Sequence, residues 1–429
     1  MKEILKTLLY EWRARKLPST IKRDVQLDTL PQKGGNNATV ITGFRRVGKT
    51  YLLFSAIEKL LRSHSREEVV YINFEDERIM TPTVELLTNL IPEIEALYGH
   101  KPKFLFLDEL QLIPNWSKWV RRILDTENIQ IFITGSSSKM GSAELPTELR
   151  GRFWEIKVNP LTFKEFLRFK STSIDFEKLA FVKSELARFR FLFDEYLIYG
   201  GLPAVVLSPP EKKLELLQSY FGSVVQRDIA ERYEIDNDMA LKTLLKLLLN
   251  STYITISKLT NSLKSLGIPI GKSTVINYLS YIQSSYFTNE LFIYNSKIIN
   301  QLQYPRKIYF TDTGFITALS TKFSKNMGRL LENIVFQKLC QQNDTVYYYK
   351  DSKNLEVDFV IMTEEKVTAL YQVCFDLTDE ETQNREIKSL IKAGKALNCK
   401  NLILLTMENI SFPKLSKEIK LVSMPEFLQ

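Results

Sequence analysis

Four side chains in this sequence have the types and neighbours needed for phosphate chemistry: Lys49, Thr50, Asp108 and Glu109. Lys49 and Thr50 close the stretch Gly43-Phe44-Arg45-Arg46-Val47-Gly48-Lys49-Thr50, which has the spacing G-x-x-x-x-G-K-[ST]. In such a loop Gly43 and Gly48 let the backbone turn tightly and bring N–H groups close to phosphate oxygens. A helix starting near Lys49 adds its positive end. The Lys49 ammonium reaches the β/γ-phosphates, and the Thr50 hydroxyl ligands Mg²⁺. The nucleotide is therefore expected along the whole loop and at Tyr51. Asp108 and Glu109 follow the apolar run Phe104-Leu105-Phe106-Leu107. Asp108 is placed to hold Mg²⁺ through water, and Glu109 to polarise an attacking water as a base. A catalytic Glu beside the metal acid points to ATP hydrolysis. No [NT]KxD guanine selector follows the loop, which argues against GTP. ATP and Mg²⁺ are the expected cofactors.

These residues need a scaffold, and the surrounding pattern supplies one. A β-branched run at 38–42 precedes the loop, and Leu52, Leu53, Ile57, Leu60 and Leu61 follow it at helical spacing. Further strand-like runs lie at 69–74, 104–107 and 129–134, with helical patterns between them. Strands alternating with helices make a parallel α/β sheet, and near-continuous apolar strands suit burial on both faces. The ligand belongs at the carboxyl edge of such a sheet. The run at 129–134 ends in Gly135-Ser136-Ser137-Ser138. A hydroxyl there lies between the two phosphate motifs, so Ser136 and Ser137 are candidates to sense the γ-phosphate. Arg150 and Arg152 are candidates to stabilise transition-state charge, in cis or from a neighbouring copy; a structural ion pair is the alternative. Arg45 and Arg46, inside the loop, are read as screening phosphate or contacting a partner.

The chain has 429 residues, enough for two to four domains at about 100–200 residues each. With 44% hydrophobic and 25% charged residues, core formation is not limiting. The net charge of +8 permits nucleic-acid binding without requiring it. Cys340, Cys374 and Cys399 lack metal spacing and suggest a reducing, cytoplasmic setting. No apolar run approaches the ~18 residues of a membrane span, and the N-terminus lacks a signal-peptide core. Residues 1–160 read as the ATPase core with an N-terminal basic helix, and 161–240 as a helical lid or linker. Residues 241–322 read as a winged helix of three helices and two strands. Its recognition helix would be 273–284, carrying Lys272, Ser273, Thr274, Asn277 and Tyr278, with Ser257 expected to cap the preceding helix. Gly267 to Ser273 imitates a second phosphate loop, but the spacing is one residue short and the context is a turn before a helix. Residues 323–429 read as a small α/β domain.

Several stretches recur together in one group: Gly43 to Thr50, Phe106 to Gln111, Thr134 to Ser138, Glu148 to Arg152 and Pro160 to Phe166, with Gly200 to Pro203 and Arg227-Asp228 behind them. The chain resembles the archaeal-type AAA-like ATPase family over nearly its whole length. The resemblance implies an AAA+/ASCE-type core, a winged helix and a C-terminal domain similar to restriction-endonuclease-like nucleases. It also implies ATP binding and hydrolysis, coupled to nucleic acid or a protein partner, with a homo-oligomer as the candidate assembly. PD-(D/E)xK nucleases place a helix Glu, a strand Asp and then (D/E)-x-Lys on the next strand, the carboxylates binding Mg²⁺. Glu332 and Asp358 match the first two elements, and Gln372-Val373-Cys374 stands for the third. Gln372 offers only a carbonyl oxygen, and Cys374 cannot replace a cation. Lys350 or Lys353 would have to migrate into the missing place. A degenerate site at Glu332, Asp358 and Gln372, on a scaffold that binds rather than cuts, is the expectation. The alternatives are a nucleotide-switched DNA-binding regulator with little turnover, or a metal-dependent nuclease.

Overall fold

The computed structural model describes residues 2–27, 37–136, 149, 151–320, 327–342, 345–375, 380–407 and 416–429. They fall into two compact units, Met1–Asn159 with Ser284–Tyr286, and Pro160–Gln283 with Phe287–Gln429.

The first unit is built on a five-stranded sheet of β1 (Ala38–Thr42), β2 (Val69–Asn73), β3 (Phe104–Asp108), β4 (Gln130–Thr134) and β5 (Phe153–Lys157). The order is β2-β3-β4-β1-β5, and every neighbouring pair is parallel. Among the described residues, four α-helices accompany it: α1 (Lys2–Ala14), α2 (Lys49–Leu60), α3 (Val84–Tyr98) and α4 (Trp116–Thr126). The strands are buried because both faces are apolar: on one, Val40, Leu105, Leu107, Ile131 and Ile133 join Leu5 and Leu9 of α1, Leu87 and Leu90 of α3, and Val120 and Ile123 of α4 in one core, and on the other the buried rings of Phe106 and Phe132 stack at 4.5 Å. Each such side chain stabilises the fold by about 1.5–3 kcal/mol on burial. The α1 helix is pinned further by Trp12, whose Nε1 donates to the Val69 carbonyl at 2.8 Å. The fifth strand was not expected. Phe-Trp-Glu-Ile-Lys has no apolar run, and β5 is a half-exposed edge.

The second unit begins with α5 (Phe163–Phe169), α6 (Lys183–Tyr199), α7 (Pro203–Leu207) and α8 (Pro210–Ser223). Thr162 and Glu165 form a reciprocal capping box at the start of α5. Phe163, Phe166, Phe189, Phe193 and Tyr196 pack ring against ring, which accounts for the phenylalanine-rich sequence there. The α8 helix runs on into a π-helical stretch, Val224–Glu231, which the sequence did not suggest. Gly200 and Gly201 turn the chain where side chains have no room: a Cβ on Gly200, at φ 75°, would lie 1.7 Å from the Asp312 carboxylate.

Next come α9 (Asp238–Leu249), β6 (Tyr253–Ile254), α10 (Ile256–Ser265), α11 (Lys272–Ser284), β7 (Thr288–Leu291), α12 (Ile298–Gln303), β8 (Arg306–Phe310) and α13 (Thr313–Leu319). The strands form an antiparallel sheet of order β6-β8-β7, three strands where two were expected. The cap of α10 is Thr255, whose hydroxyl accepts from the Lys258 N–H at 3.1 Å, and not Ser257. Tyr278 is buried and belongs to the core, so it is removed from the contact face assigned to α11. The remainder is α14 (Met327–Gln342), β9 (Thr345–Lys350), β10 (Glu356–Thr363), β11 (Lys366–Cys374), α15 (Glu380–Ala396), β12 (Leu402–Thr406), β13 (Ile419–Ser423) and α16 (Met424–Leu428). Its mixed sheet has the order β13-β12-β11-β10-β9. Val357, Val360, Leu370 and Leu404 pack there against Leu390 and Ala393 of α15. Among the described residues, no helix is long and apolar enough to cross a membrane.

Candidate nucleotide-binding site

The glycine loop leaves the carboxyl end of β1 and enters α2. Gly43 has φ 141°, and a Cβ on it would lie 2.2 Å from the Val158 carbonyl oxygen. Gly48, at φ 97°, occupies the N-cap of α2 in the left-handed region. Only glycine adopts these conformations without strain. Phe44 and Val47 are buried and anchor the loop from beneath. Arg46 sits at φ 69°, a position that costs a non-glycine residue energy and is found where geometry is imposed. Lys49 is buried, with Nζ donating to the carbonyls of Gly43 at 3.0 Å and Phe44 at 3.1 Å. Arg45 pairs with Glu75 at 3.2 Å. Tyr51, on the first turn of α2, is 55% exposed.

Sequence reading did not single out Arg23. Its guanidinium donates to the Val47 carbonyl and the Asn159 carbonyl, both at 2.9 Å. It therefore ties the loop to the chain that follows β5.

The carboxylates come from β3. Because the sheet order puts β4 between β1 and β3, the end of β4 stands between the loop and Asp108. Asp108 is 1% exposed and accepts hydrogen bonds from three hydroxyls. Thr50 and Tyr71 donate to Oδ2, each at 2.8 Å, and Thr134 donates to Oδ1. Burial, and next the neighbouring charge of Glu109, push the Asp108 carboxyl above its ordinary range, while the three donors pull it back. Tyr71 and Thr134 were not singled out in the sequence. The signal for Tyr71 is a lone hydroxyl in the apolar run of β2, two residues before the strand end. It sits on the same face as Asn73, the register partner of Asp108. Its ring packs against Trp12 and Phe54 at centroid distances of 5.5 and 5.1 Å.

Glu109 is left-handed at φ 54°. Its N–H donates to Thr134 Oγ1 at 2.9 Å, and its carboxylate accepts from the Gln111 side chain. Ser136 is 1% exposed, and among the described residues its hydroxyl makes no hydrogen bond. Such a buried donor is uncommon and costs stability. Ser137, Ser138, Glu148 and Arg150 lie outside the described residues.

Arg152 precedes β5, and its carbonyl accepts from Ala38 N–H at the start of β1. It therefore lies at the amino edge of the sheet, a strand length of roughly 17 Å from the loop. Its guanidinium pairs with Asp125. This corrects the expectation that Arg152 could serve its own site in cis.

In the second unit, Glu332 and Asp358 do converge, but on a residue the sequence did not nominate. Lys307 Nζ lies 2.9 Å from Glu332, 2.8 Å from Glu356 and 2.9 Å from Asp358. Neither expected migrant fills this place: Lys350 stays 4.0 Å from Glu356, and Lys353 is exposed. Gln372 accepts from the Asp358 N–H at 3.2 Å and donates to Glu386 at 2.6 Å. Its amide is thus spent on protein partners. Among the described residues, no group of three or more acids, histidines or cysteines is set to hold a metal ion.

The loop, the acids of β3 and the sheet order are those of an AAA-type P-loop core, and residues 35–167 match the AAA domain family. Residues 190–326 and 327–427 each match a domain of unknown function, DUF8612 and DUF4143. The uncharacterized protein MJ1544 of Methanocaldococcus jannaschii is 38% identical over 94% of this chain and 89% of its own length. The chain belongs to the MJ1544 family. A further member, an uncharacterized protein of Haemophilus influenzae, is 32% identical over 85% of this chain and 90% of its own length. Among solved structures, AMPPCP-bound DnaA from Aquifex aeolicus is similar over 66% of this chain and 86% of its own, at 19% identity and a TM-score of 0.30. The chain thus joins an AAA-type core to two segments that match domains of unknown function.

Proposed function

We propose that this protein is a Mg²⁺-dependent ATPase whose turnover drives or positions a nucleic acid or protein held by its second unit. The observation that carries the reading is the Thr50–Asp108 hydrogen bond, 2.8 Å long, at the carboxyl edge of the sheet. It brings the loop hydroxyl and the buried carboxylate into a pair that suits Mg²⁺, and the oxygen donors fit that hard cation. When bound, the ion neutralises charge on the phosphates. The remaining steps belong to the chain. Lys49 and the loop N–H groups hold the phosphates. Glu109, at hydrogen-bonding distance of Gln111 and set beside Asp108, takes the proton of the attacking water. The Ser136 hydroxyl, buried between the two motifs, is available to the γ-phosphate. Arg152 stands too far from its own loop and would act only from a second copy.

The test is steady-state ATP turnover with and without DNA, beside Glu109→Gln. Nucleotide binding should persist in the variant while turnover falls at least about 100-fold. Parental turnover in Glu109→Gln would remove Glu109 from its role. Background turnover in the parent would remove the ATPase reading.

A second reading, a nucleotide-switched DNA-binding regulator, is favoured by one observation. The helices α9, α10 and α11 and the sheet β6-β8-β7 follow the winged-helix order, and Lys272, Ser273 and Asn277 are exposed on α11. DNA affinity should then fall steeply between about 50 and 200 mM salt; no binding at low salt would end this reading.

A further inference from the structure

Lys307 is 1% exposed, yet it lies on a strand of the small antiparallel sheet and points into a nest of acids contributed by α14 and β10. An ammonium has three donors. Here three carboxylates receive them, at 2.8–2.9 Å: Glu332 from α14, and Glu356 and Asp358 from β10. The rings of Tyr253 and Tyr348 flank Nζ at 5.5 and 5.9 Å, and Tyr309 donates to Glu332 at 2.5 Å. The three donors of the ammonium are all used, and the three acids face one internal cation.

Three carboxylate oxygens within 3 Å of one point are also what a hard divalent cation takes, at somewhat shorter range. In a nuclease of the PD-(D/E)xK type the metal would be sought at Glu332 and Asp358. In this chain that point is occupied by protein. Gln372, the third position, brings no carboxylate and is already engaged on both sides of its amide: its carbonyl accepts from Asp358 N–H and its NH₂ donates to Glu386. The expected metal and the residues present do not fit together.

We infer that the Lys307 ammonium stands in the place of a divalent cation, so that Glu332, Glu356 and Asp358 form a metal-free internal ion cluster closed to metal-dependent cleavage. The cluster then joins β8 to α14 and β10, and its carboxylates are retained for that attachment. Glu356, which the nuclease pattern does not include, completes it.

The experiment counts Mn²⁺ bound to the full chain without nucleotide, by electron paramagnetic resonance, in the parent, Asp358→Asn, Lys307→Gln and the double variant. Circular dichroism confirms the fold of each. The parent and Asp358→Asn should bind the same amount, and plasmid incubated with Mn²⁺ should be nicked no faster by one than by the other. Lys307→Gln should gain one Mn²⁺ equivalent that the double variant loses. The inference is overturned if the parent holds a Mn²⁺ that Asp358→Asn abolishes, if nicking depends on Asp358, or if a folded Lys307→Gln gains none. Should Lys307→Gln fail to fold, the comparison of the parent with Asp358→Asn decides alone.

Discussion

Tyr71→Phe removes one oxygen and leaves the ring that packs between Trp12 and Phe54. The lost atom is a donor, 2.8 Å from Asp108 Oδ2, inside a site from which water is excluded. A hydrogen bond to a charged acceptor is worth about 1.5–3 kcal/mol, against roughly 0.5–1.5 kcal/mol for a neutral pair. The structure supplies the neutral control in the same unit: Tyr98 donates to the Leu9 carbonyl, also at 2.8 Å. Tyr71→Phe should therefore destabilise the first unit by about 1.5–3 kcal/mol, lowering its Tm by roughly 3–12 °C, and Tyr98→Phe by about half as much. Tryptophan fluorescence isolates this transition, since all four tryptophans lie between Trp12 and Trp154. The sign with pH follows from which form of Asp108 the hydroxyl favours. Tyr71 donates to the carboxylate and so lowers a carboxyl that burial has raised. Its loss raises that carboxyl further. The deficit of Tyr71→Phe is then full above the Asp108 titration and shrinks towards the neutral-bond value as pH falls through it. Equal costs for Tyr71→Phe and Tyr98→Phe at neutral pH would refute the view that the hydroxyl holds a charged Asp108.

Two other substitutions follow from geometry. Gly43→Ala places a methyl 2.2 Å from the Val158 carbonyl, which is fixed because the Val158 N–H donates to Thr42 at 2.8 Å. About 2–4 kcal/mol of stability should be lost through overpacking and the left-handed backbone, with affinity for a fluorescent ATP analogue falling in parallel; urea unfolding and a titration check both. Asp312 is buried, caps α13 and accepts from the N–H groups of Gly201 and Gly314 at 2.7 and 2.9 Å, and burial pushes its carboxyl up to about 6. Its folded value exceeds its unfolded one, so the fold holds the extra proton and its stability falls as pH rises from about 4 through 6. Asp312→Asn lacks this titration, so its stability relative to the parent should improve across that window by up to roughly 3 kcal/mol, measured by thermal melts at pH 4.5 and 7.5.

The phosphate loop and the acids of β3 were legible because each is a local signal. Eight consecutive residues fix the loop, and the loop, the strand before it and the helix after it state one another's context. What surrounds them was not legible, because it is chosen by the fold over long separations. Tyr71 stands 37 positions from Asp108, and Arg23 stands 24 from Val47. Lys307 reaches Asp358 across 51 positions from a different sheet, so a search for a migrated lysine near Asp358 looked along the wrong strand. Short or weakly apolar strands failed for another reason. The two residues of β6 and the charged alternation of β5 carry too little hydrophobic pattern to separate them from loop. Arg152 could be read as a finger for its own site only while its edge of the sheet was unknown.

The β9 strand is the last of the mixed sheet, but its outer rim is not bare. The Tyr294 N–H donates to the Tyr348 carbonyl at 2.7 Å, and the Tyr348 N–H donates to Phe292 at 3.0 Å, so the chain between β7 and α12 lies along it. A family boundary falls at residues 326 and 327. A gene fragment starting there would carry Glu332, Glu356 and Asp358 into a new host without their lysine, and with an open strand rim that invites aggregation. Recombination that moves only the last hundred residues is therefore disfavoured, and the two segments of unassigned task are expected to be inherited as one piece.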